Sequence, residues 1–295
     1  MTKSYSLYQF MNNFPSDESC MKYLSELKWK NGFICSKCGH QGYCHPKNGF
    51  HRKCNRCKHI ASPTSGTLFH KCKIPLQKAF MMIFLISTTK SGISSCELGR
   101  KIGVRQKTCY YFKRKVMLSM KESIVLGEHT VQVDEFYVGG PGKKKRGRSH
   151  TKNKKLVIMA VETYRNKKVL KGSAQIIERA TSKNIRSFMR KNVSKQAEVK
   201  TDKWRGYIPL KEEYSKLEQK ENKAGRGLFA FHRQAMMFKA WLRGVHHSVR
   251  HLQAYLDEFF FGFNNRVRNL FFLTVKKMVG KPPVILKLLN LNYGT

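Results

Sequence analysis

A chain of 295 residues with 58 Lys and Arg against 18 Asp and Glu carries a formal charge of +40 and a pI near 10.1. Its 41 % hydrophobic content, with 19 Phe and 12 Tyr, excludes a disordered basic tail and provides for two or three folded domains. A charge this large repels itself unless polyanion is near, so nucleic acid is the expected partner and a ribosome-associated or merely basic protein the plainer alternative.

Met1 to Pro15 lacks the continuous apolar core of a signal peptide, and the longest apolar run, Ala79 to Ile86, falls well short of the roughly 20 residues of a membrane span. The expectation is a cytoplasmic, nucleoid-associated protein without a membrane partner, whose nine cysteines stay reduced. Ser16, after Pro15, is placed to cap a helix with Cys20, Leu24 and Leu27 on its apolar face, ending before Gly32. Two knuckles follow, Cys35-x2-Cys38 and, after fifteen intervening residues, Cys54-x2-Cys57. Four thiolates at this spacing satisfy tetrahedral zinc in the zinc-ribbon pattern, as a closed structural site. Gly39 gives the backbone room to turn its amides toward sulfur, and His40, Cys44, His45 and His51 lie between the knuckles as alternative ligands.

Pro75 opens an apolar helix that runs to about Ser87 and is broken by Gly92. Ser94 to Ile102, a turn at Gly103, and Arg105 to Leu118 then form a helix-turn-helix pattern. Arg105, Lys107, Lys113, Arg114 and Lys115 give the second helix a basic surface for DNA, although three-helix cores without DNA contact are also common. The expected organisation is an amino-terminal helix and ribbon over residues 1–70, a helix-turn-helix-like DNA-binding region over 71–125, and a catalytic domain over 126–295.

The last region begins with a strand at 131–138. A loop follows, from Gly139 to Lys155, with Lys143, Lys144, Lys145, Arg146, Arg148, Lys152, Lys154 and Lys155 and no acid. Such a run is often only solvated; leaving a strand that bears an acid, it is read as a phosphate clamp at the mouth of a site, made supple by Gly139, Gly140, Gly142 and Gly147. Strands at 155–163 and 168–177, a helix from Thr181 to about Lys191, and a strand at 198–201 come next. A helical or loop stretch at 208–214, a short strand at 217–221, and helices from about 232 and 248 complete the order.

Only four aspartates occur in the chain, and Asp134 and Asp202 both sit at strand-like runs. A carboxylate among so many cations usually has a cation to hold. Thirty residues beyond Asp202 comes His232, and seven further comes Lys239, which on a helix share one face about 10 Å apart. Plainer roles exist: Asp202 as a cap on the following turn, His232 as an ordinary residue near a helix start, Trp204 and the run Phe259 to Phe263 as core. Glu135 is a rival to Asp134, but alternation sends it to the opposite face, and Asp257 and Glu258 are rival third ligands.

The run Val133 to Gly140 with its basic continuation, Thr201-Asp202, the segment from His232 to Lys239, and His251 to Phe259 together resemble the ISXO-like transposases of bacterial insertion sequences, in the expected order and over nearly the whole chain. The resemblance implies an α/β (α+β) architecture: an RNase H-like catalytic domain preceded by a zinc ribbon and a helix-turn-helix-like region. It implies DDE-type phosphodiester cleavage and strand transfer at an element's terminal inverted repeats, with two Mg²⁺ or Mn²⁺ ions and structural Zn²⁺ as cofactors. Double-stranded DNA would be the partner and a homo-oligomer on DNA the working form. Asp134 and Asp202 match the first two acidic ligands, and Lys239 matches the basic residue seven positions past the third. His232 stands where most members have Glu or Asn, and Gly262 where they tend to have Arg, so a catalytically inactive, transposase-derived DNA-binding protein is the alternative.

Overall fold

The computed structural model of the chain describes residues 5–46, 49–139, 154–165, 168–221, 227–245 and 251–284. Contacts divide it into two compact units, one of residues 1–120 with 267–292 and the other built on residues 121–266.

In the first unit, helix α1 (Leu7–Asn13) and helix α2 (Asp17–Lys28) each start at a serine, Ser6 and Ser16, whose hydroxyl accepts the N–H three residues on. This satisfies one of the orphan amides of a helix start. Strands β1 (Tyr43–Cys44), β2 (Arg52–Cys54) and β3 (Ile60–Ala61) form a small antiparallel sheet. Helices α3 (Leu76–Thr88), α4 (Ser95–Ile102) and α5 (Gln106–Met120) follow. Ser94 caps α4, and left-handed Gly103 ends it, so the helix-turn-helix boundaries agree with the sequence to within two residues.

The last described helix, Leu270–Val279, also belongs to this first unit, whereas the expected boundary ran the catalytic domain to residue 295. Aromatic burial is the reason: the Phe271 ring lies 5.4 to 6.2 Å from those of Phe10, Phe14, Phe80 and Phe84, and all of them are buried.

The second unit is a five-stranded mixed sheet. Strands β4 (Thr130–Gly139), β5 (Lys154–Tyr164) and β6 (Lys168–Ile177) are antiparallel; β7 (Val199–Thr201) runs parallel to β4, and β8 (Leu217–Gln219) parallel to β7, in the order β6-β5-β4-β7-β8. This is the RNase H-like arrangement. Helix α6 (Ser182–Asn192) covers one face, where Ile185, Phe188 and Met189 pack with Val131, Val133, Ile158 and Ala160. Helix α7 (Phe229–Val245) covers the other, where Phe136 meets Phe231 and Phe238. It begins three residues before the expected start, so His232 sits in its first turn. The stretch expected as helix or loop at 208–214 is a 3₁₀ helix over Arg205–Leu210 followed by turns.

Helix α8 (Leu252–Asn264) closes the outer edge of β6 with side chains. Asn264 accepts from the Gly172 N–H and donates to its carbonyl, both at 2.9 Å, while Gln253 accepts from the Ile176 N–H and donates to the Ala174 carbonyl. An edge that would otherwise offer a row of unpaired amides to another chain is thereby filled. The fit needs Gly172, where a Cβ would come within 2.5 Å of the Phe260 ring.

Candidate functional site

The ribbon follows from two copies of one local turn. Cys35 and Cys54 each accept, through the carbonyl, the N–H of the residue four on, Gly39 and Lys58, and both of those residues are left-handed (φ 72° and 58°). Gly39 adopts this at no steric cost, whereas Lys58 does so against the penalty that a Cβ brings. The turn aims the N–H groups of Lys37 and Cys38 at the Cys35 sulfur, and those of Arg56 and Cys57 at the Cys54 sulfur. Burial pushes both thiols up, but these donors, together with hydrogen bonds from the Cys38 and Cys57 side chains, outweigh it and leave each below its ordinary range, toward the thiolate that a metal binds.

The sulfur atoms of Cys35, Cys38, Cys54 and Cys57 all lie within 4.8 Å of one another, with 3.5 Å from Cys35 to Cys57 and 3.6 Å from Cys38 to Cys54. A zinc tetrahedron with bonds of about 2.3 Å has edges of about 3.8 Å, so spacing and donor set fit Zn²⁺. His40, Cys44, His45 and His51, the alternatives between the knuckles, are not in this group. Arg52 ties the ribbon to α2, its guanidinium 4.7 Å from the Trp29 ring and 4.2 Å from that of Tyr43.

In the second unit the alternation of β4 decides which acid faces what. Gln132 accepts the Phe231 N–H at 3.0 Å and Phe136 packs on Phe231 and Phe238, so Asp134, between them, faces α7. Asp134 is 8 % exposed, and its Oδ1 accepts the Glu135 N–H at 2.7 Å. The parallel pairing of Val133 with Thr201 puts Asp134 and Asp202 one step beyond the last paired residues of neighbouring strands. Asp202 also caps the next turn, its Oδ1 accepting the Trp204 N–H at 3.1 Å. A carboxylate has about four lone-pair sites, so the cap leaves acceptor capacity for a second partner.

From α7, Lys239 sets its ammonium 5.3 Å from the Phe136 ring, on the same sheet face as Asp134. Burial, and then the positive charge of Lys239, holds His232 below the ordinary imidazole range, so it stays neutral and able to ligate at physiological pH. Burial likewise lowers Lys239. The negative potential collects nearby: Tyr207 is pushed well up by its burial and then by Glu135, Asp134 and Asp202.

Among the described residues the four cysteines are the one group of three or more potential ligands packed within 4.8 Å, so at least one pair among Asp134, Asp202 and His232 is farther apart. Carboxylate oxygens and a neutral imidazole nitrogen are donor types that Mg²⁺ or Mn²⁺ accept, the oxygens suiting Mg²⁺ and the nitrogen suiting softer ions better.

Two expected DNA contacts are corrected. Lys113 and Arg114 are buried, at 4 % and 2 % exposure, and Lys113 donates to the Ile93 carbonyl at 2.8 Å. Charge alone does not say which face of a helix a residue occupies. Arg105 and Lys107, at the start of α5, are exposed. Lys143, Lys144, Lys145, Arg146 and Arg148 lie outside the described residues. Of the rival ligands, Asp257 accepts from Gln253, the residue that holds β6, and Glu258 is buried on the same helix. Sequence reasoning passed over Gln132, whose amide fixes the start of α7; a polar residue at an inward strand position was its signal. It also passed over the partner of Glu135, Tyr207, whose hydroxyl donates to Glu135 Oε1 at 2.7 Å.

Residues 125–264 match the ISXO2-like transposase domain, and residues 15–60 match the transposase zinc-ribbon domain. A protein of the transposable element ISH50 from Halobacterium salinarum is 23 % identical over 218 residues, covering 69 % of this chain and 73 % of its own length. A chain of the crystal structure of a pre-cleavage Mos1 transpososome aligns with 74 % of this chain and 79 % of its own at 10 % identity, with a TM-score of 0.27, a likeness too loose to bear on the fold.

Proposed function

We propose that this chain, which carries an ISXO2-like transposase domain behind a transposase zinc ribbon, binds the terminal inverted repeats of its own element and cuts and joins DNA there with divalent metal. The observation that supports the reading is the pairing of Val133 with Thr201, each one residue before an aspartate on adjacent parallel strands, with α7 packed on the Asp134 face of the sheet and its Lys239 against Phe136.

Asp134, Asp202 and His232 would hold the divalent metal, which when bound would activate the attacking oxygen and stabilise the departing one. Lys239 orients the scissile or a flanking phosphate. Water attacks phosphorus and the bond to the 3′ oxygen breaks, leaving a 3′-hydroxyl and a 5′-phosphate. That hydroxyl then attacks a target phosphate, whose own 3′ oxygen departs. A neutral imidazole in place of a carboxylate weakens Mg²⁺ and favours Mn²⁺ at the His232 site. Arg105, Lys107 and the cations of residues 143–148 contact phosphates, and the protein works as a homo-oligomer on DNA in the nucleoid.

The test is cleavage of DNA bearing the element's terminal repeats by purified protein with Mg²⁺ or Mn²⁺. Asp134→Ala is expected to abolish cutting while DNA binding persists; intact cutting would refute the reading. His232 itself favours one alternative, a DNA-binding protein that has lost catalysis. His232→Glu separates the two, since activity gained from none supports the inactive protein, and a shift from Mn²⁺ toward Mg²⁺ supports the active one.

A further inference from the structure

The proposed chemistry leaves one acid beside Asp134 without a task. Glu135 points to the α6 side of the sheet, where it accepts from Tyr207 across 72 residues of chain. Tyr207 is fully buried and lies in the 3₁₀ helix that begins three residues after Asp202. Backbone pairing between β4 and β7 ends at Val133 and Thr201, so Asp202 stands just past the last point at which the ladder fixes its strand to that of Asp134.

The turn after Asp202 is held from other directions as well. The Gln219 amide donates to the carbonyls of Asp202 and Trp204, and the Trp204 indole donates to Ala180. These anchors come from β8 and from the approach to α6, whereas the Glu135–Tyr207 bond attaches the turn to the strand that bears Asp134. We infer that Glu135 and Tyr207 are positioning residues of the divalent-ion site, their hydrogen bond setting the separation of Asp202 from Asp134. The inference rests on the proposed role of those two aspartates as ligands. Groups one layer out that orient the ligands of a metal site contribute on the order of tenfold or more to metal affinity.

The test is calorimetric titration of the zinc-loaded, DNA-free full chain with MnCl₂, with circular dichroism checking that each variant is folded. Tyr207→Phe and Glu135→Leu are each expected to weaken Mn²⁺ binding on the order of tenfold. Their combination should be no worse than either alone, because both remove the same bond. Glu135→Gln, which keeps an acceptor for the tyrosine, is expected to bind close to wild type. Should Tyr207→Phe fail to fold, the contrast between Glu135→Leu and Glu135→Gln reads the same bond from the strand side. Wild-type Mn²⁺ affinity in folded Tyr207→Phe or Glu135→Leu overturns the inference, as does equal loss in Glu135→Gln and Glu135→Leu. Asp134→Asn separates this from the underlying reading: if it binds Mn²⁺ as wild type does, the ion site itself is wrong, and if it alone loses binding, only the positioning role is.

Discussion

Gly172→Ala sets two effects of opposite sign against each other at the seam between β6 and α8. Replacing a glycine whose backbone an alanine can adopt stabilises by about 0.4 to 1 kcal/mol through the unfolded chain. Here the new Cβ would sit 2.5 Å from Phe260 Cε1, 3.1 Å from Cδ1 and 3.3 Å from the Ala160 carbonyl oxygen. Carbon atoms in good contact stand about 3.5 to 4.0 Å apart, so the ring must retreat by roughly 1 Å. Phe260 is only 5 % exposed and Asn264, one turn on, is pinned to Gly172 by two hydrogen bonds, so the retreat disturbs both. Overpacking of this kind costs about 1 to 3 kcal/mol, which exceeds the entropic gain, and a net loss of about 1 to 2 kcal/mol is expected. The assay is urea unfolding of the sheet-bearing unit followed by Trp204 and Trp241 fluorescence in a Trp29→Phe background. Pairing Gly172→Ala with Phe260→Leu should cost less than the sum of the two single changes, since the smaller side chain makes room. A neutral or stabilising Gly172→Ala, or strict additivity with Phe260→Leu, would refute the close approach of helix and strand.

Purified protein should contain one zinc per chain by atomic emission; Cys54→Ser should lose it and Cys44→Ser should keep it, whereas loss in Cys44→Ser would point to a different ligand set. Because the Lys239 charge is one of the two causes that depress His232, Lys239→Met should raise the His232 pKa seen by NMR, though not fully, as burial remains. The sign for stability follows: a depressed imidazole resists the proton that the unfolded chain accepts, so stability is lost as pH falls below the unfolded value of about 6.5, and Lys239→Met should lessen that loss. An unchanged His232 titration in Lys239→Met would separate the two residues. Arg105→Ala with Lys107→Ala should weaken DNA binding and reduce the salt slope by about 2, one for each phosphate contact. Lys113→Met should instead act through the fold, by leaving the Ile93 carbonyl without its donor, and show a lowered Tm with an unchanged salt slope.

What the sequence made legible was whatever is encoded by short spacing. The cysteine knuckles are two local turns, and the alternation of β4 sends Asp134 and Glu135 to opposite faces whatever surrounds them. The turn at Gly103 likewise announces itself, since a left-handed cap asks for glycine. Features that depend on distant partners did not show. Lys113 and Arg114 look like any basic residues on a helix, and their burial is decided by what α5 packs against. Phe271 gives no sign in the sequence that its ring joins phenylalanines some 190 to 260 positions away. Glu135 could be sent to the opposite face from Asp134, but its tyrosine partner arrives only when the 3₁₀ helix folds against β4. His232 and Lys239 were placed together by helical period, and the packing that sets Lys239 on the Asp134 face comes from Gln132, Phe136 and Phe231, residues that the sequence gives no reason to link to it.

The most direct measurement is diffraction at the manganese edge from crystals of the full chain grown with MnCl₂. An anomalous peak bonded to carboxylate oxygens of Asp134 and Asp202, with His232 reaching it or a second peak beside it, is the predicted result. Manganese bound only elsewhere, with Asp134 and Asp202 directed to separate surroundings, would contradict the account.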